Sequence, residues 1–141
     1  MQPMFQNGDY VLVDQLTYHF RDPQRGDVMV FHATDKTYFI KRAMGLPGDH
    51  LSIHDGKITI QNKQYPNGLI LNEPYLAPGT QTSGDVDITL GPDEYYVLGD
   101  NRSYSYDSRS WGILKRAEIV GVVRVRLWPL THIRTFPAPQ Y

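Results

Sequence analysis

The sequence predicts a mainly β protein, and three observations carry that prediction. Short runs of apolar and β-branched residues recur along the 141 residues, each bounded by turn-forming Gly, Asn, Asp or Pro. Tyrosine (10), glycine (12) and proline (10) are abundant, a mix that suits strands and tight turns over long helices. Only one stretch, Leu114 to Glu118, reads as a helix, and then of a turn or two. A chain of this length supports one ordinary domain with a real core, or a core plus a small subdomain.

The elements follow in order. Tyr10 to Val13 is a short strand after the Asn7-Gly8-Asp9 turn. Val28 to Phe31 follows Arg25-Gly26-Asp27, and Tyr38 to Met44 runs into the breaker cluster Gly45-Leu46-Pro47-Gly48-Asp49. His50 to Ile53 and Lys57 to Ile60 flank Asp55-Gly56, the strongest short-range hairpin signal. Asn62 to Gly91 is rich in Asn, Pro, Gly, Thr and Asp and reads as a loop-rich insertion with two strands, one near Ile88. Strands resume at Tyr95 to Leu98 and Ile119 to Trp128. The tail Phe136-Pro137-Ala138-Pro139 is expected to be extended and poorly ordered.

Composition excludes several classes of function. Lys+Arg (14) nearly balances Asp+Glu (15), without the basic excess that nucleic-acid binding needs. With no cysteine there is neither a disulfide framework nor a thiolate metal site. His19, His32, His50, His54 and His132 form no metal-ligand motif, so neither metal nor cofactor is expected. Apolar runs such as Val28 to Phe31 and Val120 to Val123 fall far short of the roughly 20 residues that span a bilayer. No signal peptide is visible. The chain is expected to be soluble or to sit on a membrane surface, with any anchor outside it.

Three clusters are dense enough to carry chemistry: Met1 to Val13, Tyr38 to Asp49 and Gly99 to Arg109. Lys41 ends the apolar triplet Tyr38-Phe39-Ile40, where alternation puts it on the face of Phe39. The ordinary reading is a solvated lysine at a strand end. The functional one is an amine held in an apolar setting, whose pKa falls until it can accept a proton near neutral pH. The third cluster packs two Asp, two Arg, one Asn and three Ser into eleven residues. It is either a solvated polar turn or a loop that pairs its charges internally and offers a hydroxyl to a neighbour. In an extended segment Ser105, Asp107 and Arg109 would share a face. Ser105 would then orient a neutral Lys41 amine.

These clusters, in this order, resemble bacterial type I signal peptidases, a family of Ser–Lys proteases. Met1-Gln2-Pro3-Met4 and Gly8-Asp9 match the end of its Ser-Met-x-Pro-Thr segment and the Gly-Asp beyond, with Met4 for the usual threonine. Arg25 to Phe31, Lys41 to Asp49 and Gly99 to Arg109 match three further motifs, the last two at every fixed position. Asn72-Glu73-Pro74-Tyr75-Leu76 and Leu127-Trp128-Pro129 are similar to the Gram-positive branch.

The resemblance implies a signal-peptidase/LexA-like antiparallel β catalytic core (1–49 and 94–141) with a small inserted β subdomain (50–93). It implies an endopeptidase that removes signal peptides from secreted preproteins at the outer face of the cell membrane. Lys41 would be the general base and Ser105 the hydroxyl that orients it. Asp107 with Arg109, and Arg42 with Asp100, would form supporting ion pairs. Met1, Phe5, Val30, Phe39 and Ile40 match positions lining shallow apolar pockets for small residues, and Met1 and Phe5 are expected on an exposed apolar face near Trp128 or Trp111. The family's nucleophilic serine immediately precedes the methionine aligned with Met1, so the chain as given carries the base without the nucleophile and is expected to be inactive alone. A catalytically dead relative serving as a secretion or pilus-assembly chaperone is the alternative. The intact Lys41 and Ser105 speak against it. A self-cleaving LexA-type repressor would need a DNA-binding domain or an internal cleavage loop, and neither is found.

Overall fold

The computed structural model describes residues 1, 4–5, 8–34, 36–128 and 134–135. Its strands are β1 (Tyr10–Asp14), β2 (Val28–Thr34), β3 (Thr37–Gly45), β4 (His50–His54), β5 (Lys57–Gln61), β6 (Leu69–Ile70), β7 (Val86–Thr89), β8 (Glu94–Leu98), β9 (Leu114–Lys115), β10 (Ile119–Trp128) and β11 (Arg134–Thr135). They pair antiparallel throughout, as the fold class predicted. A seven-stranded sheet runs in the order β1-β10-β2-β3-β8-β9, with β11 also paired to β10. A four-stranded sheet runs β6-β5-β4-β7. The tail at 136–139 lies outside the described residues.

The β4–β5 hairpin forms where Asp55-Gly56 marked it. Both residues take positive φ, 50° and 77°, which suits the right-handed twist of a two-residue hairpin. In β4 alternate residues are buried, the mark of a sheet with one covered face. In β2 four successive residues, Val28 to Phe31, are buried because apolar clusters cover both faces of the larger sheet.

Residues 50–89 supply the whole second sheet, yet it shares its core with the first. Leu51, Ile53, Ile58, Ile60 and Leu71 pack with Met44, Tyr96 and Leu98 in one buried cluster. The chain enters and leaves this region side by side, where Leu90 N–H donates to Asp49 O (2.8 Å) and Gly48 N–H to Leu90 O (3.0 Å).

Three expectations about local structure are corrected. Leu114 to Glu118 is helical only in its second half: Leu114–Lys115 pairs with β8, and Arg116–Glu118 winds into a single 3-10 turn. Two one-turn helices went unforeseen, α1 (Thr17–Phe20) and α2 (Ser108–Trp111). Four residues are too few to show helical periodicity. The Gly99 to Arg109 cluster is not extended at its end, because Asp107 is the N-cap of α2.

Candidate active site

Strand pairing creates the site. In β3 and β8, Arg42 stands opposite Leu98, so Gly99, one residue past β8, comes beside Lys41. Turns after Gly99 then reverse the chain, with Arg102 N–H donating to Asp100 O (3.0 Å) and Tyr104 N–H to Asn101 O (3.2 Å). Ser105 returns over Gly99. A Cβ added to Gly99 would stand 2.0 Å from Ser105 Oγ and 3.6 Å from Lys41 Nζ. Those two atoms are therefore no farther apart than the sum of the two distances, about 5.6 Å. The absent side chain is what lets them approach. Gly99 was not singled out from sequence, although a glycine opening a polar loop directly after an apolar strand was visible.

The loop is closed by its own charges. Asp107, with no exposed side-chain surface, pairs with Arg109 at 2.8 Å. Its carboxylate also accepts Gly99 N–H (3.0 Å), while Ser108 Oγ accepts Val97 N–H (2.9 Å). Burial opposes ionisation of Asp107, but Arg109 and the Gly99 amide outweigh it and hold its pKa below the ordinary range. Ser105 Oγ lies close enough to add to that effect. It makes no hydrogen bond of good geometry and is buried without a partner, which leaves it available to an amine.

Lys41 is half-buried, with its ammonium 5.5 Å from the centre of the Phe39 ring. Burial lowers its pKa, Asp107 and Asp100 oppose that effect, and Arg109 reinforces it. The half-buried Met1 amino group also has a lowered pKa, first through burial and then through Lys41, which brings this end of the chain within electrostatic reach of the lysine. Beside Lys41, Arg42 and Asp100 form a buried two-pronged pair at 2.9 and 2.8 Å. Arg42 also donates to Gly26 O (2.9 Å). Such an arrangement holds an amine in a poorly solvated setting beside a free hydroxyl, which is what proton abstraction requires.

Residues 1–128 match the family described as signal peptidase, peptidase S26. The chain belongs to this family. A probable signal peptidase I-2 of Synechocystis is 39% identical over 141 residues, covering 94% of this chain and 61% of that protein. A signal peptidase I of Leptolyngbya laminosa is 36% identical over 156 residues, covering 100% of this chain and 71% of that protein. The crystal structure of a signal peptidase I from Enterococcus faecalis superimposes with a TM-score of 0.59 at 30% identity, over 72% of this chain and 97% of that one.

In this signal peptidase family member, the five apolar positions expected along substrate pockets separate. Phe5 and Val30 are buried in one cluster, with Met1 and Ile40 packed against it. Phe39 belongs to another cluster, across the sheet, with Met29 and Phe31. Strand alternation explains the split: Val30 pairs with Ile40 on one face, and Phe31 with Phe39 on the other, where Lys41 also lies. The expected exposure of Phe5 is corrected, since only 7% of it meets solvent. Trp111 packs in the Phe39 cluster, 5.8 Å from the Phe31 ring, and not in the cluster that holds Met1. Of the large apolar residues that stand exposed, Tyr10, Leu12, Leu127 and Trp128 lie on the paired strands β1 and β10, and Leu16, Phe20, Tyr38, Ile70, Tyr104 and Tyr106 lie elsewhere. A cleft of about 270 Å³ opens beside the site, lined by Phe31, Phe39, Tyr106 and Trp111. Among the described residues no group of His, Asp or Glu could hold a metal ion, and no helix is long and apolar enough to cross a membrane.

Proposed function

We propose that this chain is the catalytic portion of a signal peptidase I-type endopeptidase that uses Lys41 as general base. One observation supports the reading: the half-buried Lys41 amine and the Ser105 hydroxyl both border the space that Gly99 leaves open, within about 5.6 Å of each other. Residues 1–49 and 94–141 form the catalytic core in this reading, and 50–93 an inserted subdomain.

The nucleophile is a serine joined to the Met1 amino group in the longer protein. The nearness of Met1 to Lys41 supports this. The neutral lysine takes the serine proton as its oxygen attacks the scissile carbonyl. The lysine then returns that proton to the leaving amine as the peptide bond breaks; water, deprotonated in turn by Lys41, attacks the acyl-serine ester, and the lysine gives this second proton to the serine oxygen as the acid product leaves. Ser105 orients the amine. Asp107 with Arg109, and Arg42 with Asp100, hold the two segments in place. Phe39, on the face of Lys41, and Met1 and Ile40, on the other face of the sheet with Phe5 and Val30 packed beneath them, are the apolar positions that this reading assigns to the selection of small side chains.

The substrates are the signal peptides of secreted preproteins, cut at the outer face of the cell membrane. Exposed Tyr10, Leu12, Leu127 and Trp128 supply an apolar patch for the bilayer surface. The test is cleavage of a peptide with small residues before the scissile bond. The chain extended upstream by serine and its native neighbours should cut it, whereas the 141-residue chain should not. Lys41→Arg in the extended protein should be inactive, because a guanidinium stays protonated. Robust cleavage by that variant would overturn the mechanism.

A further inference from the structure

The Asn72-Glu73-Pro74-Tyr75 turn belongs to the region between the two main catalytic motifs, and the mechanism above gives it no part. Its side chains nevertheless reach both motifs. Tyr75 covers the guanidinium of Arg42, whose carbon lies 3.9 Å from the ring centre. The Tyr75 hydroxyl donates to Glu73 Oε1 at 2.6 Å. Glu73 Oε2 in turn accepts from Arg102 Nη1 at 3.0 Å, and Arg102 Nη2 also donates to Glu73. The Arg102 side chain is fully buried and that of Glu73 is 11% exposed.

Arg102 passes the contact onward. Its Nε donates to Gly99 O at 3.1 Å, and its own carbonyl accepts from Arg109 Nη2 at 2.7 Å. Thr82, from the same intervening region, accepts from Arg102, and Ser83 accepts from Arg109 through its carbonyl (3.3 Å) and hydroxyl (3.2 Å). One short turn thus holds the arginine next to Lys41 and the arginine three residues before Ser105.

We propose that Glu73 and Tyr75 are positioning residues: their turn clamps Arg42 and Arg102 together and so sets the approach of Ser105 to Lys41. The proposal rests on reading Lys41 as the base. A buried guanidinium deprived of its carboxylate is strongly disfavoured, so without Glu73 the Arg102 segment shifts toward water and carries the Ser105 loop with it. Tyr75→Phe keeps the ring over Arg42 and removes the hydroxyl with its bonds to Glu73 and, at 3.5 Å, to Met44 Sδ, while the Glu73–Arg102 pair stays, so its effect is smaller.

Two measurements test this. Lysine-specific NMR titration of the 141-residue chain reads the Lys41 amine directly. Kinetics of the upstream-extended protein read kcat and KM. In Glu73→Gln, Lys41 is expected to titrate closer to the ordinary lysine value of about 10.4, because the displaced loop admits water to the amine. The same variant should lose about tenfold or more in kcat, as misplaced reacting groups do, with KM within about twofold. Tyr75→Phe should move both quantities the same way by less, and it decides the matter if Glu73→Gln does not fold. A lowered melting temperature with an unmoved Lys41 titration and kcat would overturn the positioning role and leave these residues merely structural. A Lys41 that titrates normally in the unsubstituted chain would overturn the base reading itself, and this proposal with it.

Discussion

At the residue scale, the reading of Lys41 as base predicts both a rate and a pH dependence. Burial lowers its pKa, with Asp107 and Asp100 offsetting only part of the effect. The cleavage rate of the upstream-extended protein should therefore rise with pH as the amine loses its proton and level off below the ordinary lysine value of about 10.4. Stability follows the same proton. Between the lowered pKa and about 10.4 the unfolded chain keeps a proton that the folded chain has released, so this contribution to stability rises with pH across that window. Below the window the buried charge is a cost. Lys41→Met should abolish cleavage while leaving the melting temperature at neutral pH equal or higher. A large drop would show that the amine holds the fold together. Ser105→Ala should also change the melt little, since its hydroxyl makes no hydrogen bond of good geometry and only adds to the stabilisation of the Asp107 carboxylate. It should slow turnover less than Lys41→Met, because it removes an orienting group and not a reacting one.

At the element scale, the one-turn helix α2 and the loop before it stand or fall with Asp107. This residue caps the helix, accepts the Gly99 amide and pairs with Arg109. With the carboxylate fully buried, Asp107→Asn should cost about 3 kcal/mol, the lower end for breaking a buried pair, because Arg109 keeps some contact with solvent. A melt indistinguishable from the unsubstituted protein would mean that the pair is replaceable by water. The Asp107 contribution is lost on acidification: its folded pKa lies below the unfolded value of about 3.9, so the contribution is full above that value and disappears as pH falls through the folded pKa. Gly99→Ala tests the same loop from the other side. Its Cβ would collide with Ser105 Oγ and Cβ, at 2.0 and 2.6 Å, so Ser105 must move away from Lys41. Activity should fall much further than stability.

At the scale of the whole molecule, burial separates two apolar groups that look alike in sequence. Phe5 belongs to the core with Val28, Val30 and Val123. Phe5→Ser should therefore destabilise the protein by about 3 kcal/mol or more, as large-to-small core changes do, and reveals nothing about membranes. Tyr10 (69% exposed) and Trp128 (50%) are cross-strand partners at the outer edge of β1 and β10, with Leu12 and Leu127 beside them. Trp128→Ser combined with Leu12→Ser should reduce flotation with liposomes and leave the melt nearly unchanged. Equal flotation of both proteins would rule this patch out as the membrane contact.

Local chemistry by itself determined most of the strands, the hairpin at Asp55-Gly56 and the two motifs that carry Lys41 and Ser105. Each depends on neighbours a few residues apart: alternation sets a strand, a positive-φ pair sets a turn, and a dense polar run after an apolar strand marks a loop. The short helices α1 and α2 escaped that reading because one turn has no period to detect. Tertiary structure alone decided what depends on distant pairing. The β3–β8 register brought residues 41 and 99 side by side, and the return of the loop set Ser105 on the space that a glycine leaves open. It also buried Phe5, divided Val30 and Ile40 from Phe39 across one sheet, and seated Tyr75 on Arg42. Such contacts join residues tens of positions apart, and their energy depends on which faces meet and how much water they exclude. Neither quantity is written in any single stretch of chain.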